Sequence, residues 1–93
     1  MNLAASPIGP KLKVIDVVMP TPDDVISRRL MELGFIKDAI VEIRHRAPFF
    51  YDPIAVEVRG MIVALRLYEA ERIQVTAIDD QKNAPNNLSE KNT

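Results

Sequence analysis

Arg28-Arg29-Leu30-Met31-Glu32-Leu33-Gly34-Phe35 decides the fold of this chain, together with two stretches downstream, Asp52-Pro53-Ile54 and Arg59-Gly60-Met61-Ile62-Val63-Ala64-Leu65-Arg66. The first reads as the end of a short helix, a glycine stop and a return into strand. Apolar residues recur at Ile26, Leu30 and Leu33, with Val25 and Met31 flanking the stripe, which is helical spacing. Gly34 closes the helix, because glycine takes the left-handed conformation after a last turn at little cost. Upstream, Pro20-Thr21-Pro22-Asp23-Asp24 predicts the start: Thr21 as cap, Pro22 at the first helical position, and the two aspartates in the first turn, where the helix dipole favours them.

Around this helix the pattern has a period of two. Lys11 to Met19 is rich in β-branched residues and places Leu12, Val14 and Val18 on one face, with Ile15 and Val17 on the other. Asp16 breaks the apolar set and predicts a bulge or a strand end. Ala39 to Arg46 puts Val41, Ile43 and His45 on one side, which implies a core-facing histidine near a strand end. Pro53 to Arg59 turns Ile54, Val56 and Val58 inward. Gly60 makes a tight turn, and Met61 to Arg66 returns with Met61, Val63 and Leu65 on one face. Tyr68 to Arg72 allows a single helical turn before a last strand, Ile73 to Ile78. Five short strands and one inserted helix in so small a chain favour a closed or nearly closed barrel, which removes sheet edges. Residues 1–10, with Pro7, Gly9 and Pro10, read as a loose lead-in in which some order is expected. Residues 1–79 then form one domain, and 80–93, rich in Asn, Lys, Asp and Ser, form a disordered tail.

Composition narrows the function. The 93 residues are 47% apolar, enough for one modest core. A net charge of −1 offers no long-range field for nucleic acid or an anionic membrane. There is no cysteine, which removes disulfides, thiolate metal sites and thiol nucleophiles and agrees with a reducing cytoplasm. No apolar run approaches the ~20 residues that span a bilayer, and the N-terminus lacks a signal-peptide pattern. Direct membrane insertion is not expected.

Enzyme patterns are missing. Gly9, Gly34 and Gly60 do not make a phosphate loop, and one histidine gives Ser27 or Ser89 no triad. His45 is the weak candidate for a metal ligand; without thiolates its partners would have to be carboxylates or backbone oxygens. Arg28 and Arg29, with Arg44 and Arg46, form a candidate basic patch. The plainer reading pairs Arg29 with Asp24 or Glu32 on the same helix. Phe49-Phe50-Tyr51 holds three of the five aromatic residues between Pro48 and Pro53. A core role accounts for one or two of them; alternation forbids burying three in a row, so at least one belongs at a contact surface.

The helix end, the Asp-Pro-Ile strand start, the Arg59 to Arg66 hairpin and the Glu69-Ala70 turn before Ile73, in this order, resemble the ferrous iron transport protein A (FeoA) family over residues 8–78. Two positions depart from the family pattern. Lys37-Asp38 stands where glycine is common, and Phe50-Tyr51 stands where glycine often precedes the Asp-Pro pair. The resemblance implies a mainly β fold, a small SH3-like five-stranded barrel with one inserted α-helix. It implies a non-enzymatic cytoplasmic protein without cofactor that serves ferrous iron uptake by binding the cytosolic GTP-binding domain of a membrane ferrous iron transporter. Phe49, Phe50, Tyr51, Arg28 and Arg29 are the expected partner-binding residues, and a homo-oligomer is a further expectation. Two other readings stand beside it: a transition-metal-responsive regulatory module like the barrel domains of metal-dependent repressors, and a free-standing oligomeric adaptor.

Overall fold

In the computed structural model, residues 1–78 are described; the expected tail over 80–93 and the boundary at 79 lie outside the described residues. The chain runs β1 (Leu12–Val17), α1 (Val25–Leu33), β2 (Ile40–Arg46), β3 (Ile54–Val58), β4 (Met61–Leu65), α2 (Leu67–Ala70) and β5 (Ile73–Ala77). All pairings are antiparallel, in the order β4-β3-β2-β1-β5. The fold is therefore mainly β and SH3-like, with α1 inserted after β1.

Leu12, Val14, Val41, Ile43, Ile54, Val56 and Val58 line one face of the curled sheet, fully buried. Leu30 from α1, and Phe35 just after it, seal that core. Gly34 stops α1 as expected: its φ is 116°, and its N–H reaches the carbonyls of Leu30 and Met31. The start of α1 differs from the expected one. Asp24, not Thr21, is the cap, with its carboxylate accepting from Ser27 N at 2.8 Å and from Arg72 at 3.1 Å. Pro20 to Asp23 form turn and bend before it. Thr21 satisfies the same local rule, but only Asp24 also gains a partner from the far end of the chain.

Bulges shift two faces. Between Val14 and Asp16 the register of β1 slips, as Asp16 predicted, and this turns Val17 inward and leaves Val18 exposed. A second slip, between Ile43 and His45, was not foreseen. One extra residue reverses the alternation, so His45 faces outward instead of lining the core.

The N-terminus is not a loose lead-in. Leu3, in a 3₁₀ turn over Leu3–Ala5, is completely buried in the core. Met1 accepts from Val75 N at 2.8 Å, and Asn2 forms a bridge with Gln74, so these residues cover the edge of β5. Among the described residues the barrel is not closed by pairing, because β4 and β5 are the two ends of the strand order. On β4 only Leu65 is buried; Val63 is half-buried and Met61 is half exposed, since among the described residues no neighbouring strand covers its outer edge.

Candidate functional site

The connection from β2 to β3 carries the aromatic triplet. It is pinned at its base: Ala47 N donates to the Pro53 carbonyl at 3.0 Å, and Asp52 Oδ1 accepts from Leu67 N at 3.1 Å, satisfying a free N–H at the start of α2. Arg66 adds an ion pair to Asp52 at 3.8 Å. Between these ties Phe49, Phe50 and Tyr51 are 77%, 89% and 65% exposed, so none of them fills the core. The expectation of one or two buried aromatics is corrected here: other side chains, Leu3 among them, fill the core. Phe50 and Tyr51 take φ values of 64° and 58°, a left-handed conformation that bulky side chains adopt rarely and at a cost.

Beside the loop lies an open pocket of about 360 Å³ lined by Ala4, Arg46, Phe50, Tyr51 and Leu67. Arg46 reaches across it to the carbonyls of Ala4, at 3.1 Å, and Ser6, at 2.6 Å. Sequence reasoning missed Ala4 and Leu67, and it named Arg46 only as part of a basic patch, not as a wall of this pocket. No local signal marks them, because they meet through the fold of the N-terminal turn onto the end of β2.

The arginines do not form a free basic patch. Arg29 on α1 pairs with Glu69 on α2, forty residues away, rather than with Asp24 or Glu32. Glu69 is nearly buried and also accepts from Arg66 N at 2.9 Å. Arg28 pairs with Asp23 at 3.6 Å on the surface. Arg44 lies 2.5 Å from Glu57 and 3.8 Å from Glu42. Arg28 and Arg29 are thus apart from the aromatic loop in role: one is a solvated pair, the other joins two helices. His45 stands exposed on β2, and among the described residues no group of three or more histidine, aspartate or glutamate side chains is placed to hold a metal. Among those residues no helix is long and apolar enough to cross a membrane.

A five-stranded SH3-like module with an anchored aromatic loop has the make-up of a binding module. The FeoA domain family matches residues 1–77, and the chain belongs to the FeoA family, non-catalytic accessory proteins of ferrous iron transport. Among solved structures, FeoA of Stenotrophomonas maltophilia complexed with zinc is 36% identical, with 82% of this chain and 89% of that one covered and a TM-score of 0.74. A FeoA-like protein of Clostridium acetobutylicum is 33% identical over 84% of this chain and 86% of its own, with a TM-score of 0.73. FeoA of Chlorobium tepidum is 30% identical over 97% and 82%, with a TM-score of 0.75. No curated protein sequence matches the chain.

Proposed function

We propose that this chain is a cytoplasmic regulator of ferrous iron uptake that docks through Phe49, Phe50 and Tyr51 on the cytosolic GTP-binding domain of a membrane ferrous iron transporter. The observation that carries the reading is the exposure of three adjacent aromatics on a loop pinned at both ends. Large apolar rings held in water are unfavourable unless something covers them, and a pre-set loop loses little entropy on binding. Family membership supplies the transport system, and the S. maltophilia relative has been put forward as a bacterial ferrous iron transport activating factor. The Ala4–Leu67 pocket beside the rings gives a partner side chain a place to seat.

Titration of the transporter's cytosolic domain with the parent chain, Phe50→Ser and Tyr51→Ser, with circular dichroism on each, tests the proposal. Each substitution should weaken binding by about 2 kcal/mol, roughly thirtyfold, with the fold intact. Unchanged affinity in both folded variants would place the contact elsewhere.

The zinc in the S. maltophilia relative favours a second reading, a metal-responsive module. With one exposed histidine and hard carboxylates, this chain should bind zinc or ferrous iron weakly. A stoichiometric, sub-micromolar event in anaerobic calorimetry, abolished by His45→Ala, would carry that reading instead.

A further inference from the structure

Among the described residues, nothing pairs with the outer edge of β4. Sheet edges are usually blunted by charged side chains, proline, bulges or a covering segment. β4 has none of these among the described residues: Met61-Ile62-Val63-Ala64-Leu65 is wholly apolar, and its register against β3 is unbroken. The opposite end of the sheet, β5, is covered by Met1 and Asn2, whereas β4 has β3 as its one strand neighbour. Met61 and Ile62 are 50% and 58% exposed, and Ala64 is exposed as well.

The hairpin fixes which backbone groups point outward. Arg59 and Gly60, both at positive φ, form a two-residue turn, so the flanking pair Val58–Met61 is hydrogen-bonded. Hydrogen-bonded pairs then alternate, at Val56–Val63 and Ile54–Leu65. The N–H and C=O groups of Ile62 and Ala64 therefore face away from β3.

We propose that this edge pairs antiparallel with β4 of a second copy of the chain, about a two-fold axis at Val63, to make one continuous ten-stranded sheet. The segment is self-complementary in that register. Ile62 of each copy faces Ala64 of the other, which satisfies four outward donors and four outward acceptors. Val63 meets Val63, and half-exposed Met61 comes opposite Leu65 of the second copy, whose side chain stays buried in its own core. Charge does not oppose the pairing within the ladder. At its ends Arg66 comes opposite Gly60 of the second copy, and Asp52, 3.8 Å away, offsets its charge. A five-residue ladder buries well under the ~1,200 Å² of standard interfaces, so the dimer forms weakly and only at high concentration.

Sedimentation of the full chain from low-micromolar to millimolar concentration, with amide exchange followed by NMR, tests this. The mass should rise toward a dimer, and the Ile62 and Ala64 amides should exchange several-fold more slowly as concentration rises. The amides of Met61, Val63 and Leu65, already bonded to β3, should not change. Ile62→Lys and Ala64→Pro should each abolish the mass increase. The proline removes only an outward N–H, and circular dichroism on Ile62→Lys checks that the fold is kept. A monomer at millimolar concentration would overturn the proposal, as would a dimer that survives Ile62→Lys. So would slow Ile62 and Ala64 exchange independent of concentration, which would mean that something other than a second copy covers the edge.

Discussion

Gly34 and Gly60 both have positive φ, yet they differ in surroundings. A Cβ at Gly34 would stand 2.3 Å from Cδ of Arg59, while the same atom at Gly60 meets nothing within 4 Å. The Arg59 side chain can move, so backbone strain dominates at both sites and a steric term adds at Gly34. Gly34→Val should lower stability by more than ~1 kcal/mol, and by more than Gly60→Ala does, in urea unfolding. A parental unfolding curve for Gly34→Val would contradict the cap. Asp24 carries a pH dependence: the hydrogen bonds from Ser27, with help from Arg72, hold its carboxyl below the ordinary 3.8. A lowered folded-state pKa means stability that is present above the unfolded value and lost as pH falls through the folded one. Asp24→Asn, which keeps a capping oxygen but not the charge, should flatten the acid limb of stability below about pH 4. An unchanged acid limb would remove Asp24 from that role. Gly34 was legible in the sequence because one residue type fits its conformation. Asp24 was not, because its deciding partner, Arg72, lies far along the chain. The bulge at Asp16 showed as a break in alternation, but Arg44 keeps the polar pattern, so the slip that turns His45 outward left no trace.

Among the elements, α1 and α2 are joined by Arg29 and Glu69. Glu69 has two donors to satisfy, the Arg29 guanidinium and Arg66 N, and little water to replace them. Glu69→Ala should therefore cost about 2 kcal/mol, since it strands a backbone N–H at the start of α2 and frees Arg29. Arg29→Ala, truncating the more exposed partner, should cost less than about 1 kcal/mol. Thermal or urea unfolding of both variants checks the order; the reverse order would return Arg29 to the list of surface contacts. Strand and helix identities were readable because each follows from local periodicity. The tie between the helices was not, and neither was the N-terminal segment's place in the core. Leu3 is one apolar residue among small ones, and its burial depends on how its turn folds against α2 and β5.

At the scale of the whole molecule, a small barrel leaves two unlike surfaces: an aromatic loop held against α2 and the N-terminal turn, and an apolar strand edge. The family fold and the exposure of at least one aromatic followed from the sequence. That all three are exposed did not, because it depends on which other side chains fill the core. The central claim is that Phe49, Phe50 and Tyr51 are the contact with the transporter's cytosolic domain. NMR of the isotope-labelled chain, titrated with that domain unlabelled, tests it most directly. The account predicts shifts and line broadening concentrated at residues 48–52, Ala4 and Leu67, with Arg28 and the outer face of α1 unmoved. Perturbations centred on α1 or on β4, with the aromatic loop unchanged, would contradict it.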